Sequence, residues 1–363
     1  MVVGLLLTTT EFITSIRWTK GLNSTFNIEI MAVHKSLWAS IKKTKFDNFV
    51  LAILGMILLG RFLPQVGVYR GAVDLDKISD VGVSLIFFFY GLKLSPDKLR
   101  SDLGNLRLHA VVQAATFVVF PLVVLVAMHL FSTPSTSLLW VGAFFMAALP
   151  STVSSSVVMV SIAKGNIPAA IFNASISSLV GVFVTPLWMG LILTSGTMQM
   201  ADMSGVVVKL ICQVLVPVAV GMMLNRRWGK WAASHSKGLK LFDQSVILSI
   251  VYMSFSESFS KNLFSELSWV NLVVLFVGVV ALFYLVYGLI SIASKSLGFS
   301  REDRITALFC GSKKSLVHGT VMSSILFSGM GSLGIILLPI MVYHALQLVI
   351  VSFIAQRMSD EVD

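Results

Sequence analysis

The chain has 363 residues, 56% of them hydrophobic and only 12% charged, with a mean hydropathy of +0.88. Soluble domains carry roughly 25% charged residues, and half that share leaves too few polar groups to cover a water-exposed surface. A soluble enzyme and a disordered chain are both excluded, and a polytopic membrane protein remains. The net charge of +10 falls in short breaks between apolar runs, the footprint of orientation in a bilayer and not of nucleic-acid binding. Cys212 and Cys310 lie far apart inside apolar runs, so they read as packing residues, not as a disulfide framework.

Residues 1–30 hold one short apolar run, Val2 to Leu7, without the positive start or small-residue cleavage site of a secretion signal. Met31 opens the basic stretch MAVHKSLWASIKKTKF, which makes 1–30 a candidate start-codon artefact within an N-terminal extension, 1–45. A helix needs about 20 apolar residues to cross roughly 30 Å of hydrocarbon. Ten such stretches follow. Five are expected at about 46–63, 78–94, 106–131, 138–163 and 168–194, and five more at about 205–224, 241–259, 269–293, 304–327 and 333–355. Counted on alternate sides, eighteen Lys and Arg residues fall on the side of the N-terminal approach and four on the other, which predicts two cytoplasmic termini in the inner cell membrane, with a tail at 356–363.

The halves 46–194 and 205–355 resemble each other. Each has a short first span, a second ending in a charged loop, a long third, a fourth interrupted by small and hydroxyl residues, and a fifth with a proline near its middle. Five spans per half turn the second copy upside down, so the expected fold is all-α with two inverted five-helix repeats, a transporter architecture.

The interrupted spans carry the chemistry. In span four Pro150 removes a backbone donor and is followed by Ser151, Thr152, Ser154, Ser155 and Ser156. Freed carbonyls and hydroxyls there suit a cation, and the new helix start suits an anion; close packing of small residues is the alternative. In span nine Gly311, Ser312, Lys313, Lys314 and Ser315 fall near mid-membrane, where a lipid-facing ammonium is costly and a lysine should face a cavity or a partner. Neighbours on a helix diverge by about 100°, so one lysine at most is expected to point at the site. Gln113, Thr116, Asn173, His344 and Gln347 are further polar residues within spans, each able to line a cavity or simply to bond across helices. No HExxH, Walker loop or GxSxG is present.

FFFYGLKLS (Phe87 to Ser95), KGN (Lys164 to Asn166), FCGSKKSL (Phe309 to Leu316) and the pair Tyr343-His344 resemble the bile acid:sodium symporter superfamily, in particular the branch of solute carrier family 10 member seven and its bacterial relatives. The resemblance implies a panel of spans one, two, six and seven, a core of the other six, broken spans four and nine crossing at two sodium sites, and a substrate cleft between the units. It also puts the sodium ligands on residues that do not suit the ion. The family's Ser-Asn pair falls on Ser156 and Val157, its Ser and Thr on Ala170 and Ala174, its Gln on Thr116, its acidic residue on Phe309 and its Gln-Asn on Lys313 and Lys314. Hard cations need several oxygen ligands, and most of the side-chain ones are missing. The Lys313 ammonium is therefore expected where sodium sits, either exchanging a proton or holding an anion.

The expected function is a secondary carrier for a small or amphipathic organic anion, in a lipid bilayer, with no cofactor, no nucleic-acid partner, and Na+ or H+ as the coupling ion. A non-transporting regulator that keeps the fold is the alternative, and a Ser-Lys hydrolase using Ser312 or Ser315 is a remote third.

Overall fold

The computed structural model describes residues 48–69, 75–93, 105–133, 136–192, 208–209, 211–328 and 330–360. The N-terminal extension with Met31, residues 94–95 of the FFFYGLKLS stretch and the last three residues lie outside the described residues. All the described residues belong to one unit, 46–363.

Among the described residues the chain is helical throughout. Helices α1 (Asn48–Phe62), α2 (Pro64–Val68) and α3 (Leu75–Lys93) are followed by α4 (Leu106–Phe131), α5 (Ser137–Ala148), α6 (Val153–Ile162) and α7 (Ile167–Ile192). A π-helical turn, Ile211–Leu215, leads into α8 (Val216–Ser234), then α9 (Ser236–Ser260), α10 (Trp269–Ser296), α11 (Arg301–Gly311), α12 (Leu316–Leu326) and α13 (Leu333–Asp360). Helices satisfy their own backbone groups, the condition for a chain in hydrocarbon. Four of them, α4, α7, α10 and α13, are single helices long and apolar enough to cross a membrane. Among the described residues the expected apolar stretches fall on helices, two of them on pairs of shorter helices, while 205–207 and 210 of the sixth stretch lie outside the described residues.

Several details differ from expectation. Pro186 lies in the last third of α7 and Pro339 in the first third of α13, not at their middles, and both are inside the helix, where each removes one i→i−4 hydrogen bond. The last helix runs past 355 to Asp360, held by Arg301, which donates to the Met358 carbonyl. Cys212 is exposed on the π-helical turn, so only Cys310 is the packing residue expected.

Two packing groups form. Helices α1, α2, α3, α8 and α9 pack on one another, while α4 to α7 and α10 to α13 pack on one another, and α9 meets α12 and α13 along a seam. Glycine sets the closest approaches. A Cβ on Gly91 would lie 2.2 Å from the Val218 carbonyl oxygen, one on Gly221 2.2 Å from that of Phe88, and one on Gly142 2.4 Å from that of Ile336. In the second group Asp303 draws three helix starts together, accepting from Asn105 and from Asn166, both at 2.8 Å.

Gly91→Ala or Gly142→Ala should force the paired backbones apart and lower the thermal unfolding temperature, at a cost of roughly 1–3 kcal/mol. Gly278→Ala, with nothing within 4 Å of its added Cβ, should leave the temperature unchanged or raise it.

Candidate functional site

Helix α5 stops at Ala148 and α6 starts at Val153; α11 stops at Gly311 and α12 starts at Leu316. The two breaks meet. A broken helix leaves carbonyls without an intrahelical donor, and four consecutive ones at this break, 147 to 150, each find a specific partner. The Ala148 carbonyl accepts from Thr185 Oγ1 at 2.7 Å, and that of Pro150 accepts from the Ser315 N–H at 2.9 Å. Those of Ala147 and Leu149 accept from Lys314 Nζ at 2.6 and 2.9 Å. On the other break Ser151 Oγ donates to the Cys310 carbonyl at 2.6 Å, Tyr343 Oη to that of Ser312 at 2.6 Å, and Thr152 Oγ1 to that of Lys314 at 2.9 Å. Gln347 from α13 fastens Lys314 further, accepting its N–H at 2.9 Å and donating to its carbonyl at 2.8 Å.

The third acceptor of the Lys314 ammonium is the Thr116 carbonyl, at 2.7 Å. It is available because α4 loosens into a π-helical turn at Ala115–Val119, which sends the Phe120 N–H to Ala115, while the next residue, Pro121, has no N–H to offer. All three ammonium donors are therefore used, and the Phe120 ring covers the charge at 4.3 Å from its centroid. The carbonyl end of α5 adds the negative pole of its dipole. Three inward-facing carbonyls thus surround the Lys314 amine, with no carboxylate paired to it among the described residues.

Lys313 is equally buried but differently held. Its Nζ reaches Ser155 Oγ at 3.3 Å, a long contact on the first turn of α6, and lies near Cys310. Sequence reasoning expected the Lys313 ammonium in the cation position and only one lysine turned inward. Lys314 holds the carbonyls instead, and both lysines are inside with 0% exposure, because they sit in a non-helical linker to which the 100° rule does not apply.

The other anticipated residues are distributed around this crossing. Ser156 is wholly buried in α6 with no partner for its Oγ, and Val157 beside it is a packing residue. Thr116 contributes its carbonyl, while its hydroxyl bonds back to Val112. Asn173 bonds Gln113 and so joins α7 to α4. Gly311 packs closely on Ile290 and Ala115, and Ser312 donates back to Leu308. Ser315 caps α12, and His344 bonds Gln347. Ser312 and Ser315 are both engaged elsewhere and neither contacts a lysine amine. Not anticipated were the backbone carbonyls of Ala147 and Leu149, which no residue type advertises, and His318, whose position three residues after the capping Ser315 was a readable signal.

Two cavities lie along the seam, both bordered by one face of α12. The smaller one, about 50 Å3, is lined by Phe87, Tyr90 and Lys93 of α3, by Asp243 of α9 and by His318 and Val321. The other, about 390 Å3, is more polar, with Asp80, Lys209, Ser254, Glu257, Ser324 and Ser328 in its wall. Glu257 pairs with Lys261 at 2.9 Å and Lys209 donates to Ser328 at 2.9 Å.

Replacing Lys314 with Met should orphan three buried carbonyls and destabilise the protein by on the order of 3 kcal/mol or more. Lys313→Met removes a single long contact and should cost far less; thermal unfolding in detergent that ranked the two the other way would contradict the bonding described here.

The protein-family comparison matches residues 47–360 to the SBF-like CPA transporter family. An uncharacterized protein of Pseudomonas aeruginosa is 40% identical over 86% of this chain and 92% of its own length. The Escherichia coli protein named "Putative symporter YfeH" is 32% identical over 86% and 92%, and the mouse sodium/bile acid cotransporter 7 is 29% identical over 85% and 92%. The latter two carry the names of transporters and not of enzymes, in keeping with the apolar, multi-pass helical chain. With broken helices meeting at a buried cation and cavities along a seam, the chain belongs to the SBF-like CPA transporter family.

Proposed function

We propose that the protein is a secondary-active carrier for a small or amphipathic organic anion, and that its two buried lysines stand in for the coupling sodium ions of its symporter relatives. The observation that carries this reading is the Lys314 ammonium on three backbone carbonyls at 2.6 to 2.9 Å. The resemblance puts sodium ligands at Thr116 and at Ser156 and Val157. Lys314 bonds the Thr116 carbonyl, and Lys313 reaches Ser155, next to Ser156. A tethered cation satisfies the carbonyls as an ion would, but it cannot leave.

On this reading 46–194 and 205–355 are inverted repeats that cross an inner cell membrane ten times, with both termini cytoplasmic. The panel is α1, α2, α3, α8 and α9; the core is the remaining helices, and substrate alternates along the seam between them. Coupling, where present, falls to a proton, and Lys313, with its single long contact, is the group to exchange it.

The test is thermal stability of the purified protein in NaCl against choline chloride at equal ionic strength. A ligand at about ten times its dissociation constant stabilises by roughly 1.4 kcal/mol. Wild type should show no sodium-specific shift. Lys314→Ala should become stabilised by ammonium or K+, which suit carbonyl distances of 2.6 to 2.9 Å better than Na+ does. Sodium-specific stabilisation of wild type would overturn the reading. Absence of substrate-dependent flux in proteoliposomes would leave the non-transporting regulator, and Lys313→Gln should abolish any pH dependence of that flux.

A further inference from the structure

The end of α8 carries a basic face without a counter-charge among the described residues. Between Asp202 and Asp243 the chain has no acidic residue, while Arg226, Arg227, Lys230, Lys237 and Lys240 cluster at the corner where α8 meets α9. All five are exposed, and among the described residues none forms an ion pair. Val216, Val220, Met223, Arg227 and Lys230 are spaced four, three, four and three residues apart, so they follow one line along the helix. That line is exposed throughout, Met223 by 81%, and it changes from apolar to basic within about one turn. In a multi-pass chain exposed apolar side chains face hydrocarbon, so the step from Met223 to Arg227 marks the level of the lipid headgroups.

Two tryptophans stand beside this line at the same level. Trp228 and Trp231 each follow one of the two cations by one residue, both are exposed, and the Trp231 ring stacks on His235 with centroids 4.8 Å apart. Indole at this depth meets acyl chains with its ring and headgroups with its N–H. The opposite face of α8 fixes the backbone: Asn225 donates to the Leu92 carbonyl of α3 at 2.7 Å, and Ala232 is buried with Leu92 and Leu239. The cations therefore project from a helix that is already held in place.

We propose that this face of α8 docks a phospholipid of net negative charge, with an acyl chain along Val216, Val220 and Met223 and the phosphate on Arg227 and Lys230. The guanidinium fork matches two phosphate oxygens, and the ammonium, one turn on, adds a second positive charge. A zwitterionic lipid offers the same phosphate, but its own ammonium would enter a field of five cations, so the net charge of the headgroup decides the choice. A soluble acidic partner would match the basic half of the line and leave the apolar half without a role. The inference concerns the protein in its bilayer and does not depend on what is carried or how transport is coupled.

Native mass spectrometry of the full-length protein in detergent, titrated with dioleoyl phosphatidylglycerol or dioleoyl phosphatidylethanolamine, reads this site. Wild type should retain phosphatidylglycerol more tightly than phosphatidylethanolamine and unfold at a higher temperature in its presence. A cation near an anionic headgroup contributes about fivefold, so Arg227→Gln combined with Lys230→Gln should weaken the tightest phosphatidylglycerol by roughly 25-fold. Both side chains are exposed, and the unfolding temperature of this variant without lipid should equal that of wild type. Lys237→Gln combined with Lys240→Gln, the same change of charge off the line, should lose much less. Glycerol 1-phosphate, a headgroup without chains, should not stabilise the protein. The proposal is overturned if wild type shows no preference for phosphatidylglycerol, if the two double variants lose it equally, which would mean a diffuse field without a site, or if glycerol 1-phosphate stabilises as well as the lipid. A dimer that only the Arg227→Gln and Lys230→Gln pair dissociates would give the face to a second copy of the chain and overturn it too.

Discussion

Everything at the centre of this protein follows from interrupting two helices in an environment without water. A backbone carbonyl stripped of its helical partner in hydrocarbon must find a donor inside the protein. Four consecutive carbonyls, Ala147 to Pro150, are exposed in this way by the break between α5 and α6, and a fifth, Thr116, by the π-helical turn ahead of Pro121. One threonine hydroxyl, one backbone N–H and one ammonium group satisfy all five. The ammonium alone serves three of them, drawn from two different helices. A neutral side chain offers at most two donors, so a cation is the economical solution, whether free or attached.

That requirement explains why the lysines tolerate complete burial. Moving a charge from water into a low-dielectric interior is costly unless several oriented dipoles replace its hydration. Lys314 meets this condition with three carbonyls, the end of a helix dipole and the Phe120 face. Lys313 meets it poorly, with one hydroxyl at 3.3 Å. Adjacent in sequence, the two are unequal in chemistry: one is fixed in place by the geometry that would hold an ion, and the other has donors to spare.

Much of this was legible from residues alone. Pro150 with its serine run and the Gly-Ser-Lys-Lys-Ser stretch mark the two breaks, since proline, glycine and mid-span lysines have no ordinary place in a lipid-facing helix. The apolar stretches mark the helices for the same reason. What was not legible was which lysine faces the carbonyls. A helical-wheel argument presumes a helix, and residues 312–315 are not in one. Nor was the role of Thr116, which acts through its main chain, because a π-helical turn has no strong signature beyond the proline that follows it. Cys212, apolar by context and exposed in fact, shows the converse limit: in a bilayer an apolar residue is equally at home facing lipid or core.

The unequal lysines bear on energy as well as structure. An ion that couples transport must bind on one side and leave on the other, so that its gradient biases the cycle. A covalently attached ammonium held by three carbonyls has no gradient to follow. If Lys314 performs the structural half of what a bound sodium does, holding two broken helices in register, then the thermodynamic half has to be supplied elsewhere, by a proton on a less constrained group or by exchange of one anion for another. Lys313 lies within the same crossing and has the spare donor capacity that the first alternative requires, whereas exchange would require no titrating group at all.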